Sequence, residues 1–172
     1  MPNVDSALFE NLYERHRQKV FRLCLRYGGG SSGWAEDVTH DVFIRLLEHL
    51  PTLEDHADLG GWLYRVTANL ALRRLSRDRS LLERIVRLVQ PGPVIRPDQI
   101  VEHRQETAAA VQAIEALPPS ERVVMMMKLI DGTSQTQIAL ALRMSKGNVS
   151  KLVTRGRQKL IAAGWESLDD DT

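Results

Sequence analysis

Apolar residues recur at helical spacing along almost the whole chain, and this pattern limits the possible folds more than any other feature of the sequence. No segment alternates apolar and polar residues over the length of a β-strand. The helical pattern is interrupted where glycine or proline occurs, because both residues tend to end helices. These interruptions lie at residues 28–33, 51, 60–61 and 91–97. The sequence therefore predicts an all-α protein.

The proline-rich interruption near the middle of the chain predicts a boundary between domains. Residues 91–93 read Pro-Gly-Pro, and residues 96–98 read Arg-Pro-Asp. Proline blocks helix propagation and restrains the residue that precedes it. We therefore expect a Pro-rich, flexible linker at residues 90–98, which joins two small helical domains at residues 1–89 and 99–172.

The net charge of +1 conceals an uneven distribution of charge along the chain. Residues 62–87 contain seven arginines against two acids, and residues 143–159 contain six basic residues and no acid. Residues 36–58 contain seven acids against Arg45 alone. Two basic blocks of this kind favour binding to a polyanion. Solvation of a charged helix face explains any one block more simply.

The clearest local pattern is a pair of helices separated by a short turn in the C-terminal half. Ser134 and Gln137 form a capping-box pattern that predicts a short helix through Leu142. Ser145 is a natural cap for a longer helix that begins at Lys146. This helix has an apolar face, formed by Val149, Leu152, Val153, Gly156 and Leu160. Its other face is polar and basic, as helix-turn-helix DNA binding requires, although an ordinary amphipathic pair would share the apolar face.

Other functional classes have little support in the sequence. The single cysteine, Cys24, lies among apolar residues, so we expect a buried thiol and no disulfide within the chain. The five histidines and this cysteine form no catalytic set, and no phosphate-binding loop is present, so we expect no enzyme and no cofactor. The absence of a signal sequence and of a long apolar run predicts a cytoplasmic protein without membrane insertion.

A metal site on the second predicted helix is one alternative that the spacing leaves open. Asp37, His40 and Asp41 share one helix face. No further residue completes a convincing set of ligands, so we favour a solvated face and expect no metal.

Four motifs in a fixed order resemble the sigma factors of bacterial RNA polymerase, in particular the small extracytoplasmic-function (ECF) group. Residues 35–46 (AEDVTHDVFIRL) and 61–71 (GWLYRVTANLA) resemble two stretches of sigma region two. Residues 116–122 (ALPPSER) resemble the entry to region four, and residues 134–157 resemble its helix-turn-helix pattern. The resemblance implies that the domain before the linker is region two and the domain after it is region four.

The resemblance also implies three groups of interface residues. The residues that match the contact with the clamp helices of the polymerase's largest subunit are Asp37, Asp41, Phe43, Arg45 and Leu47. The residues that match the surface for recognition and melting of the minus-10 promoter element are Trp62, Tyr64, Arg65, Asn69, Arg73, Arg74 and Arg77. The residues that match major-groove readout of the minus-35 element are Lys146, Gly147, Asn148, Ser150, Lys151, Thr154, Arg155 and Arg157. For Trp62 we favour burial in the core slightly over base contact.

The partners that the resemblance implies are RNA polymerase core, promoter DNA and an anti-sigma protein. Helices near residues 120–130 would contact the polymerase flap, and the linker would run through the polymerase between the two anchors. The family's usual residues are replaced at Arg73, Asn148 and Leu152, so the resemblance does not carry over a promoter sequence. The main rival is a self-sufficient helix-turn-helix regulator that binds duplex DNA as a dimer, which would leave residues 35–80 unexplained.

Overall fold

A computed structural model describes residues 6–52, 58–88 and 112–165, and every regular element within these ranges is helical. The N-terminal half contains α1 (Ser6–Tyr27), α2 (Ser32–His49), a 3-10 turn (Leu50–Thr52) and α3 (Leu59–Leu88). The C-terminal half contains α4 (Pro119–Met125), a π-helical turn (Met126–Ile130), α5 (Gln135–Leu142) and α6 (Lys146–Ala162). The prediction of an all-α protein with two helical domains is confirmed. The predicted linker at 90–98 lies outside the described residues.

The three N-terminal helices pack around a core of their own. The glycines between α1 and α2 allow the sharp reversal there, since Gly29 and Gly30 adopt positive φ angles of 65° and 78°. Cys24 is completely buried in this core, as predicted. Phe43 is also buried, with its ring edge-on to Tyr13 at a centroid distance of 4.7 Å. The other buried members of the cluster are Leu12, Val20, Ala35, Val38, Val42, Leu46, Leu50, Leu59 and Leu63.

Side-chain caps hold the two C-terminal helices as the sequence predicts. The Ser134 hydroxyl accepts a hydrogen bond from the Gln137 backbone N–H at 3.3 Å, and the Gln137 side chain accepts one from the Ser134 N–H at 3.1 Å. The Ser145 hydroxyl accepts a hydrogen bond from the Asn148 N–H at 3.2 Å. Between the helices, Arg143 adopts a left-handed conformation with φ of 54°. The predicted apolar face of α6 is buried over its whole length.

The two halves of the chain share a second apolar cluster. Tyr27 from α1 and Ala68 and Ala71 from α3 are completely buried in a cluster that also contains residues of α4, α5 and α6. Helix α3 contacts both α4 and α5. The described halves are therefore packed against each other, an arrangement that the sequence did not predict.

Two negative findings apply to the parts of the chain just described. No helix there combines the length and apolar character needed to span a membrane. The same parts contain no group of three histidine, cysteine or acidic side chains placed to hold a metal ion.

Candidate nucleic-acid interface

The outer face of α6 presents the residues predicted to read duplex DNA. Of the eight candidates, seven are exposed and Arg157 is half-buried. The Thr154 hydroxyl donates to the Ser150 carbonyl oxygen at 3.0 Å, so the hydroxyl proton is used within the helix and the oxygen can act only as an acceptor toward DNA. Lys151 and Arg155 lie one turn apart on this face, with no acid between them. This helix therefore offers polar groups and positive charge over about 26 Å, from 17 residues at about 1.5 Å each.

Helix α6 is anchored to α4 by a buried carboxylate. Glu121 is only 5% exposed, and its Oε2 accepts a hydrogen bond from Lys159 Nζ at 2.7 Å. Lys159 belongs to the basic block in the sequence, but its charge is balanced here. Gly156 permits the close approach of the two helices, because a Cβ at this position would lie 2.6 Å from Met125 Cγ. The helix is thus fixed at its C-terminal part, and its first turns are left accessible.

A second basic surface lies in a groove of about 440 Å³ between α2, α3 and α5. Four of the seven minus-10 candidates line it, namely Trp62, Arg65, Asn69 and Arg73. Sequence reasoning missed two groove residues that carry nitrogen-bearing side chains, His49 and Arg143, and assigned Arg45 to the polymerase contact although it also lines the groove. The basic character of these two side chains could have suggested a role in binding a polyanion. That they lie beside the minus-10 candidates depends on how three helices pack, which the sequence does not show.

Trp62 belongs partly to the core and partly to the groove. Its ring is half-buried against the N-terminal cluster, and it also lies at a centroid distance of 5.8 Å from the His49 ring. The two alternatives stated for this residue are therefore compatible in one structure. An aromatic face beside arginines is the arrangement that holds an unstacked base and its phosphates.

The other minus-10 candidates lie elsewhere. Arg74 is turned toward α2, where its Nη2 donates to Asp37 Oδ2 at 2.8 Å. Arg77 is exposed on α3 beyond the groove. Tyr64 faces the C-terminal half, and its hydroxyl donates to Asp131 Oδ2 at 2.9 Å. Burial raises the pKa of Tyr64 to about 12, so its phenol stays protonated and remains a donor at neutral pH.

The exposed face of α2 differs from the prediction at one residue. Phe43 was expected at the polymerase contact, but it is 3% exposed and packs inside the core. Leu47 is 41% exposed, as the assignment requires, and Ile44, which was not predicted, is also 41% exposed and supplies apolar surface in place of Phe43. Asp37 and Asp41 are exposed beside them. A groove of about 910 Å³ between this face and α1 is lined by Tyr13, Glu14, Arg17, Gln18, Phe21, Glu36, Asp37, Thr39, His40, Asp41 and Arg74.

The chain is similar in sequence to proteins of one known family. The model for Sigma-70 region 2 matches residues 12–81, and the model for Sigma-70 region 4 matches residues 107–160. The chain is 32% identical over 157 residues to the ECF RNA polymerase sigma factor SigE of Mycolicibacterium smegmatis, covering 88% of this chain and 60% of the relative. It is 26% identical over 168 residues to SigW of Bacillus subtilis, covering 91% of this chain and 88% of the relative.

The fold comparison agrees with the sequence comparison. The sigma factor RpoE of Bartonella quintana, solved in complex with the anti-sigma factor NepR, superposes with a TM-score of 0.61 at 17% identity. The match covers 90% of this chain and 94% of that sigma factor. The two Sigma-70 models together account for more than half of the residues, and the curated relatives named above are ECF sigma factors; the chain belongs to the ECF group of RNA polymerase sigma factors.

Proposed function

We propose that this chain directs RNA polymerase core to specific promoters and initiates transcription there, with a separate surface for each of three contacts. The observation that carries the proposal is the exposed, acid-free outer face of α6, held as the second helix of a helix-turn-helix by two serine caps and the Arg143 turn. Duplex DNA fits this face because the first turns of such a helix enter the major groove.

The minus-35 element would be read by the first turns of α6. Lys146, Asn148 and Lys151 lie where side chains reach base edges. Arg155 lies one turn further along, where a phosphate contact is favoured. Arg157 is half-buried, so less of its side chain is accessible to DNA. The small residues Gly147 and Ser150 leave room for close approach of the DNA backbone.

The minus-10 element would be captured as a single strand in the groove beside α3. Trp62 supplies an aromatic face, and Arg65 and Arg73 supply positive charge along the path of the backbone. The energy that separates the two DNA strands would then come from binding, without nucleotide hydrolysis.

The polymerase clamp helices would bind the exposed face of α2. Asp37 and Asp41 lie one to two turns before the exposed apolar residues Ile44 and Leu47 on this helix, so the face would suit a partner helix with both basic and apolar side chains. Arg45 lies at the edge of this face and also reaches the groove, so it would contact DNA as readily as polymerase. The polymerase flap was predicted to bind helices near residues 120–130. In this structure α4 packs against both α3 and α6, so little of its surface is open to such a partner.

An anti-sigma protein is a further proposed partner. The RpoE relative was solved with such a protein bound. The acidic α2 face and the basic α3 groove are the surfaces that an inhibitor would need to cover, since they are the proposed contacts with polymerase and DNA.

Binding to core polymerase tests the proposed function. The wild-type chain should form a stoichiometric complex with purified core and support promoter-dependent transcription. Paired Ile44→Ala and Leu47→Ala changes should weaken core binding about tenfold or more, because they remove the apolar centre of the interface. Ile161→Ala is the matched control, since Ile161 is 51% exposed on α6, away from α2.

Two results would contradict the proposal. One is the finding that the chain binds duplex DNA tightly as a dimer and does not bind core polymerase, which is the behaviour of a self-sufficient regulator. The other is equal core binding by the double variant and the control. Phe43→Ala does not test the interface, because this residue supports the core from inside.

A further inference from the structure

Glu121 is the one charged residue that is buried in the parts of the chain that the structure describes. It lies in the first turn of α4, where the free N–H groups at the start of a helix favour a carboxylate. Its Oε2 accepts a short, charge-assisted hydrogen bond from Lys159 Nζ at 2.7 Å. Lys159 lies in the last turn of α6, and its side chain is 49% exposed. The pair therefore joins the start of α4 to the end of α6.

The stability of the fold does not by itself account for a buried ion pair at this point. Taking ions out of water costs about as much free energy as their attraction returns, so apolar residues can often replace a buried pair without loss of stability. The apolar cluster that α4 and α6 share already holds the two helices together. A contribution other than attraction between the helices is needed to explain the pair.

The ion pair differs from the surrounding apolar packing because it has a fixed direction. Burial of apolar surface is favourable over a range of helix orientations, whereas a hydrogen bond weakens steeply when its angle changes. Gly156 gives α6 no side chain that could interlock with Met125 of α4. Lys159 follows Gly156 by three residues and lies on the same side of α6. Its bond to Glu121 thus supplies a directional contact beside a smooth part of the helix surface.

The pair lies far from the residues proposed to read bases, so a small rotation there is amplified. Asn148 precedes Lys159 by 11 residues, which is about 16 Å of helix at about 1.5 Å per residue. A tilt of about 10° about the pair would move Asn148 by about 3 Å, close to the spacing of about 3.4 Å between successive base pairs. Functional side chains need to be held within about 10–20° of their productive geometry. The orientation of the pair therefore affects which base edges the first turns of α6 reach.

We propose that Glu121 and Lys159 are a positioning pair, which sets the angle at which α6 enters the major groove and thereby the bases that it discriminates. Lys159 belongs to the basic block at residues 143–159, but in this role it contacts no phosphate. The inference rests on the proposed minus-35 function, because the angle matters for readout only if α6 reads duplex DNA. The pairing itself is a property of the folded chain and is measured without DNA.

Urea denaturation tests the pairing. Lys159→Met leaves the Glu121 carboxylate buried without its partner and should lower the urea midpoint. Adding Glu121→Leu should restore the midpoint to near the wild-type value, because two apolar side chains of similar volume then replace the two ions. A double variant that is less stable than Lys159→Met alone would contradict the pairing.

Minus-35 binding by holoenzyme tests positioning in the double variant Glu121→Leu, Lys159→Met. The probes are the duplex that wild-type holoenzyme selects from a random pool and the same duplex with one base pair changed. Discrimination between them should fall about tenfold, which is within the value of one good base contact. The slope of log affinity against log salt should stay at the wild-type value, because the pair carries no net charge and contacts no phosphate.

Two further variants separate positioning from other effects of the substitutions. Lys159→Arg keeps a charged donor opposite Glu121 and should retain most of the discrimination. Gln158→Met is the control, since Gln158 is exposed beside Lys159 and is not among the proposed DNA contacts. It should leave both the urea midpoint and the discrimination unchanged.

Three results would overturn the inference. Wild-type discrimination by the folded double variant would mean that apolar packing alone sets the angle of α6. A salt slope reduced by about 0.9 in the double variant would mean that Lys159 contacts a phosphate. Both of these results leave the proposed function intact. If wild-type holoenzyme selects no minus-35 duplex at all, the proposed function fails together with the inference.

Discussion

Two glycines in α6 provide a matched test of the packing that positions the proposed recognition helix. At Gly147 an added Cβ meets no atom within 4 Å, whereas at Gly156 it would lie 2.6 Å from Met125 Cγ and 2.9 Å from Met125 Sδ. Replacing glycine by alanine in a helix stabilises it by roughly 0.5–1 kcal/mol, because alanine loses less backbone entropy. Gly147 lies in the first turn, where we take the lower value of about 0.5 kcal/mol.

At Gly156 the gain in helix propensity is opposed by overpacking. Met125 is completely buried, so its side chain has little space into which it can move. Overpacking a core typically costs about 1–3 kcal/mol. We expect Gly156→Ala to be destabilising by about 1 kcal/mol and Gly147→Ala to be stabilising by about 0.5 kcal/mol, a difference of about 1.5 kcal/mol.

Urea denaturation of both variants, followed by helical circular dichroism, measures this difference. Binding to minus-35 duplex by holoenzyme is measured alongside it. Gly147→Ala should weaken DNA binding although it stabilises the fold, because the methyl group points toward the proposed groove contact. If Gly156→Ala stabilises the chain as much as Gly147→Ala does, the close packing of α4 on α6 is not a constraint and our account of this helix is wrong.

Two further predictions concern the exposed face of α6, and a third concerns the buried cysteine of α1. In holoenzyme, Lys151→Ala should cost about 1–3 kcal/mol at the preferred upstream element and relax discrimination there, because this side chain reaches base edges. Arg155→Ala should weaken binding to all sequences alike and reduce the slope of log affinity against log salt by about 0.9, which a salt titration measures; the reverse behaviour of the two variants would place the helix at another angle in the groove. Burial raises the pKa of Cys24 to about 11 and also keeps reagents from the thiol, so at pH 8 iodoacetamide should label it at least about 100-fold more slowly than in the urea-unfolded chain, and equal rates would contradict its burial.

Local features were predictable from the sequence because their causes are local. The serine caps at Ser134 and Ser145 act within three residues, and the buried face of α6 follows from helical spacing alone. The order of four motifs was sufficient to identify the family, and the family models agree with it.

Contacts between distant segments were not predictable in the same way. Phe43 was assigned to the polymerase contact because it matches the family's contact position, but α2 packs on both α1 and α3 and buries it. Ile44 is next to it in sequence and points outward. Likewise, nothing near Asn69 indicates that its amide meets a carbonyl group 72 residues away. Such contacts depend on how whole helices pack against one another, which local sequence patterns do not specify.

The backbone conformation of Arg143 lowers the stability of the folded chain. Its left-handed conformation is one that glycine adopts freely at the end of a helix, whereas a residue with a Cβ is disfavoured there by roughly 1 kcal/mol. An arginine at this position places a cation at the wall of the groove that faces Trp62 and Arg73. Arg143→Gly would therefore give a more stable but less positively charged protein. At this turn, thermodynamic stability and affinity for a polyanion are opposed, and selection for stability alone would remove the arginine.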